Sequence, residues 1–274
     1  MVRSALSLLT LAFGLVAAQA QGPRVASLNL CVDQLVLALA EPQQIAGLSR
    51  YARDERLSHA AKAAHGFRLL AGAEEVLFLK PDLVLTSRFT PAATRDFLAR
   101  TRVKAEEFEA ATTLAQTRAQ MLRMGKLLRQ EARAQALVEQ VDTAAERLKG
   151  AAPSGLRVLV LARRGYVSGA SSLPGELLSL AGAQTSAPGV AGKRGGFATL
   201  ESIVAVQPDA LLITGAALKA DDQGSALLEH PVLARLFPPS RRLHLPDHLT
   251  VCGGPGLIEA MDRLAVDLKT MPRR

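Results

Sequence analysis

Along this chain, short runs of consecutive apolar residues alternate with longer stretches in which apolar residues recur every three or four positions. These are the patterns of buried parallel strands and of amphipathic helices. The segment RVASLNLCVDQLVLALA reads as an apolar strand from Val25 to Leu28, a polar break, and a helix beginning near Asp33. RVLVLARRGYVSGASSLPGELLSLAGA, from Arg157, repeats the order strand, loop, helix, glycine. A second unit is also written twice, as EEVLFLKPDLVLTSR from Glu74 and ESIVAVQPDALLITGA from Glu201. In the first copy Val76, Leu77 and Leu79 fit one helical face, Pro81 stops the helix, and Leu83 to Leu85 continue as a buried strand. The second copy places Ile203, Val204 and Val206 before Pro208 and Leu211 to Ile213 after it. Two copies of the same ordered units predict two Rossmann-like α/β lobes.

Between them, residues 113–150 contain no proline and only Gly125 before the terminal Gly150, and Ala, Leu, Gln, Arg and Glu dominate. The composition predicts helix, stopped by AAPSG. From about Glu131 a single helix of ~28 Å would form, stiff enough to restrict how far the lobes swing. The domain boundaries expected are 24–111 for an N-terminal α/β lobe, 112–150 for a helical segment that includes the interdomain helix, and 155–270 for a C-terminal α/β lobe.

The first residues follow a different grammar. Arg3 precedes an apolar run from Ala5 to Ala18, and the small residues Ala18 and Ala20 precede a cut site, so residues 1–20 read as a secretory signal cleaved near Ala20. The apolar run is shorter than the roughly 20 residues of a spanning helix, and no cysteine follows it to carry a lipid. The expectation is a soluble, exported protein. With 49% hydrophobic and 21% charged residues, the remaining chain has the composition of a folded globular protein. Its net charge of +8 suits an anionic partner. No long basic block and no basic stretch interleaved with aromatics occurs, which points away from nucleic acid.

The doubled helix-Pro-Asp-strand unit, the central helix and the segments RVASLNLCVDQL, GAEEVLFLKPDLVL, FATLESIVAVQPDALLITG and CGGPGLIEAMDRLA together resemble the periplasmic substrate-binding proteins of ABC importers for cobalamin and ferric siderophores. The resemblance implies two lobes joined by a single rigid helix, a ligand cleft between them, a periplasmic location, a monomer, a metal-chelate ligand and a membrane permease as partner. Members of that family carry one glutamate per lobe, seven residues before the proline, that docks on permease arginines, and Glu74 and Glu201 hold those positions here. Paired surface carboxylates suit guanidinium groups. The alternative for each is a favourable acid in the first turn of a helix.

Ligand contacts are expected from loops at the C-terminal edges of the strands. These loops supply Arg50, Tyr51 and Arg53, then Arg88, then Arg163, Arg164 and Tyr166, then Lys193, Arg194 and Phe197, with His248 near the second cysteine. Guanidinium groups grip carboxylates in a fork and aromatic rings offer flat faces, so a bulky anionic ligand is expected. Cys31 and Cys252 each stand at a helix entrance, in different lobes. They read either as a disulfide or as thiols contacting a metal-containing ligand. A periplasmic metal-ion binder using Cys31, Cys252 and His248 is the second functional reading, and an exported cysteine hydrolase, with Cys252 four residues after His248, the third. No CxxC pair, HExxH helix, G-x-S-x-G elbow or Walker loop is present, and CGGPG reads as a flexible helix entrance. Neither catalysis nor a resident cofactor is expected.

Overall fold

The repeated Pro-Asp unit has the same structural task in both halves. Asp82 Oδ2 accepts the backbone N–H of Arg24 at 2.8 Å, and Asp209 Oδ2 accepts that of Arg157 at 2.8 Å. Each carboxylate thus satisfies the N–H at the point where its half's first strand begins. The residues before the prolines, Lys80 (φ 48°) and Gln207 (φ 46°), are left-handed, which ends the preceding helix and turns the chain into the next strand.

The computed structural model describes residues 22–215 and 223–272. The proposed signal peptide lies outside the described residues. The N-terminal lobe runs β1 (Val25–Ser27), α1 (Leu30–Leu39), β2 (Ile45–Ser49), β3 (Leu69–Leu70), α2 (Ala73–Phe78), β4 (Leu83–Ser87), α3 (Ala92–Ala99) and β5 (Lys104–Phe108). Its strands form a parallel sheet in the order β3-β2-β1-β4-β5. Helices α4 (Leu114–Leu128) and α5 (Glu131–Leu148) follow. The second lobe runs β6 (Arg157–Leu161), β7 (Tyr166–Ser168), α6 (Leu173–Leu180), β8 (Gln184–Thr185), α7 (Ala187–Val190), β9 (Gly195–Phe197), α8 (Leu200–Val206), β10 (Ala210–Thr214), α9 (Pro231–Leu236), β11 (Arg242–Leu245), α10 (Asp247–Thr250) and α11 (Gly256–Lys269). Its sheet has the order β11-β10-β6-β7-β9, with β8 beside β6. The α/β class and the two lobes match the reading of the sequence. The antiparallel β7 and β9 were not foreseen, because their short segments lack an apolar run.

The central segment is helical as expected, and its later helix α5 starts at Glu131, where the sequence reading placed it. The segment breaks at Arg129, which is left-handed (φ 58°), and α5 returns along α4. Gly125 explains the close approach: a Cβ there would collide with the Cβ of Ala134 on the facing helix. The glycine tolerated in the helical pattern is thus a packing requirement.

Strand alternation sends Val25 to one face of the first sheet and Ala26 to the other. On one face Val25, Leu48, Leu85 and Phe108 join Met121, Met124, Val138 and Val141 of the helical hairpin, which in turn join Val158, Val160, Leu212 and Leu264 of the second lobe in one continuous core. A bidentate pair, Arg147 to Asp262 at 2.8 and 3.0 Å, links α5 to α11. Lobes that share a core through a packed hairpin resist separation more than lobes on a bare linker. Among the described residues no helix is long and apolar enough to cross a membrane.

Candidate ligand-binding site

A cavity of about 700 Å³ lies over the C-terminal ends of the first sheet. Every strand of that sheet contributes: Leu28 to Cys31 follow β1, Ser49 to Tyr51 end or follow β2, Leu70 to Gly72 end or follow β3, Phe89 to Pro91 follow β4, and Ala110 follows β5. Leu57 and Thr94 complete the first lobe's share, and Val251 reaches in from the second lobe. This is where an open parallel sheet places its ligands, because strand ends and helix starts diverge there. Asn29 shapes one wall by capping α1, its Oδ1 accepting the N–H groups of Cys31 at 2.9 Å and Val32 at 3.3 Å.

Among the described residues Arg50 is the one charged residue in this lining. Its Nη2 donates to the Tyr51 hydroxyl at 2.5 Å and its guanidinium lies 4.7 Å from the Tyr51 ring centroid. Beneath them Asp33 is fully buried, and burial pushes its carboxyl up to about 6 against the lowering effect of hydrogen bonds from Ser27 and Ser49. Phe89, 64% exposed, offers an apolar face at the mouth, with the Arg88 guanidinium 4.9 Å from its ring centroid.

Cys31 and Cys252 form a disulfide with Cα atoms 5.1 Å apart. It ties the start of α1, where Cys31 lines the cavity, to the turn after α10. The second lobe approaches because Gly253 packs on Ala111 and Thr117, where a Cβ would stand 2.5 Å from each. Gly253 is therefore close-packed, and the CGGPG segment enters α11 at Gly256, the helix entrance that the sequence reading placed there.

Of the residues expected to contact ligand, Arg50 and Tyr51 line this cavity and Arg88 stands at its edge on Phe89. Arg53 turns inward instead, donating to the carbonyls of Ala64 at 3.3 Å, His65 at 3.1 Å and Phe67 at 2.6 Å. In the second lobe, strand ends bring Arg163, Gly215 and Asp247 together: the Arg163 side chain and an Asp247 carboxylate oxygen both lie within 4.0 Å of a Cβ placed on Gly215. Burial raises the Asp247 carboxyl, opposed by His248 and Arg163. Tyr166 and Phe197 pair across β7 and β9 with ring centroids 5.6 Å apart. Arg164, Lys193 and Arg194 are exposed, and none of these residues lines the cavity. His248 faces Glu259, His59, Arg263 and Asp247, and its imidazole is depressed first by burial. Among the described residues no three His, Cys, Asp or Glu side chains converge as a metal site. Of the lining residues that the sequence reading did not single out, Ser49, Leu70, Phe89 and Val251 stand at or just beyond the end of an element. Position after an apolar run was the available signal.

Glu74 and Glu201 occupy the first turns of α2 and α8, and both are exposed. Glu74 stands two residues beyond the cavity-lining Gly72, on the rim. The Glu201 carboxyl is held low first by its own backbone N–H and then by the Thr199 hydroxyl.

No curated protein matches the chain. Among solved structures, the periplasmic heme-binding protein RhuT from Roseiflexus sp. RS-1 is 21% identical with a TM-score of 0.72, over 90% of this chain and 98% of that one. A periplasmic heme-binding protein from Pseudomonas aeruginosa is 23% identical with a TM-score of 0.70, over 92% and 94%. The periplasmic vitamin B12 binding protein BtuF of Vibrio cholerae is 14% identical with a TM-score of 0.68, over 92% and 99%. These likenesses show a common two-lobed fold. The family model described as "Periplasmic binding protein" matches residues 25–238, and the chain belongs to that family.

Proposed function

We propose that this chain is a periplasmic receptor that captures a bulky, largely apolar metal chelate with an anionic edge and delivers it to the permease of an ABC importer. The observation that carries this reading is the cavity itself. Its volume falls within the range of about 300–1,000 Å³ typical of small-molecule sites, its walls are mostly apolar, and a single guanidinium-phenol pair marks one side. Such walls favour a flat macrocycle with acidic substituents, and family membership and the ligands named for the structural relatives point the same way. The metal-ion and hydrolase readings both required free thiols, and sulfurs bonded to each other act neither as thiolate ligands nor as a nucleophile. The reading is of a monomeric binding protein without catalytic activity, exported by its N-terminal segment.

Native mass spectrometry of the protein taken from its own periplasm tests this directly. An iron- or cobalt-bearing adduct that leaves on denaturation is the expected result; a protein that carries no chelate and takes up none when offered heme, cobalamin and ferric siderophores overturns it.

A docking role for Glu74 and Glu201 is supported by their equivalent positions in the first turns of α2 and α8, since an equivalent pair suits a two-fold permease. Reversing both, Glu74→Arg with Glu201→Arg, is expected to reduce uptake by about tenfold or more, because opposed like charges replace attractive ones. Titrated ligand affinity should stay unchanged. Equal losses in affinity and uptake would assign the two glutamates to ligand binding instead.

A further inference from the structure

We propose that Asp33 is a positioning residue of the ligand site, which holds the Arg50–Tyr51 arm through Ser49 and makes capture of an anionic ligand proton-coupled. The proposal rests on the cavity being the site for an anionic chelate. Asp33 Oδ1 accepts the Ser49 backbone N–H at 3.0 Å and Oδ2 accepts the Ser49 hydroxyl at 2.5 Å. Ser49 Oγ in turn accepts the Tyr51 backbone N–H at 3.3 Å, and the Tyr51 hydroxyl accepts from Arg50. A continuous relay therefore runs from the cavity wall to a carboxyl with no solvent exposure.

The surroundings leave that carboxyl without a counter-charge. The strands packed against α1, namely β1, β2 and β4, contain no charged residue, and α4 turns Thr117, Met121 and Met124 inward. Ser49 is its hydrogen-bond partner through both backbone N–H and hydroxyl, with Ser27 nearby donating to the Asn29 carbonyl, and burial raises its pKa to about 6. When Asp33 is ionised, the Ser49 hydroxyl hydrogen is committed to it and a negative charge lies below the cavity. When Asp33 takes up a proton, it becomes a donor to Ser49 Oγ. The Ser49 hydrogen is then released to turn toward the cavity that Ser49 lines, and the buried negative charge is gone. Both changes favour an anion, so binding takes up a proton, and affinity rises as pH falls toward about 6 and levels off below it.

The test begins without ligand. Amide chemical shifts of Ser49 and Tyr51 are followed from about pH 4.5 to about pH 7.5 in wild type, Asp33→Asn and Ser49→Ala. In wild type the two amides should move together with one midpoint near 6. In Asp33→Asn both should be flat, and in Ser49→Ala the Asp33 carboxyl carbon should still titrate while the Tyr51 amide no longer follows. Amides that stay still in wild type, or titrate alike in Asp33→Asn, overturn the proposal. The probe for capture is a sulfonated metalloporphyrin, whose charge is constant over this range. Its affinity for wild type should be on the order of tenfold higher at the acid end, and equal at both ends for Asp33→Asn. A pH-independent affinity in wild type overturns the coupling. Titrating amides with no porphyrin bound at any pH uphold the positioning role and count against the ligand reading alone.

Discussion

Reduction of the Cys31–Cys252 bridge, or the double substitution Cys31→Ser with Cys252→Ser, is expected to remove about 5 kcal/mol of stability. The two cysteines are separated by 221 residues, nearly the whole folded chain. In the chain-entropy account the bridge stabilises by restricting the unfolded ensemble, and the longest loops gain most. For a protein of this size the loss corresponds to a fall in Tm on the order of 10–20 °C, measured by thermal melts with and without reductant. The shared core and the Arg147–Asp262 pair should keep the reduced protein folded at room temperature. A melt shifted by only a degree or two would mean that the unfolded chain is already constrained or that the lobes are held by the core alone. Because Cys31 also lines the cavity, the same variants should loosen the wall on which ligand rests.

Truncating Arg50 to Ala should weaken binding of an anionic metalloporphyrin about 10- to 100-fold, the scale of one charge-assisted hydrogen bond in a partly dry site. Arg50 carries this effect because it is the only charge among the described lining residues and also holds the Tyr51 hydroxyl. Arg53→Ala makes the informative contrast. Its guanidinium serves the carbonyls of Ala64, His65 and Phe67, so stability should fall while affinity holds. Calorimetric titration beside a denaturant melt separates the two outcomes. Equal affinity losses for Arg50 and Arg53 would place the ligand elsewhere, with the second lobe's Arg163 and Asp247 the next place to look.

Much of the architecture was legible in the pattern of residues. The doubled unit predicted the lobes because Pro81 and Pro208 stop helices locally, and because runs such as Leu83 to Leu85 suit only a buried strand. The helical segment was also visible, and so was a helix starting at about Glu131, yet the return of α5 along α4 was not, since Arg129 and Gln130 are ordinary helix formers. The turn is imposed by the packing of α5 on α4, with Gly125 against Ala134. The two cysteines could be singled out, but their pairing across the lobes depends on how the turn at Gly253 packs on Ala111 and Thr117.

Local periodicity, helix stops and the recurrence of the Pro-Asp unit were determined by the sequence alone, because each depends on neighbours within a few positions. The tertiary structure decided which of many arginines serves the site. Arg50 and Arg53 stand three residues apart in one basic loop, and no local rule distinguishes them; one reaches the cavity and the other satisfies buried carbonyls. It also decided that Asp33, which the sequence marks only as the start of a helix, is fully buried and bonded to Ser49 of the neighbouring strand. Strand position is encoded over a few residues, whereas the fate of a long or charged side chain depends on partners that only the folded chain brings within reach.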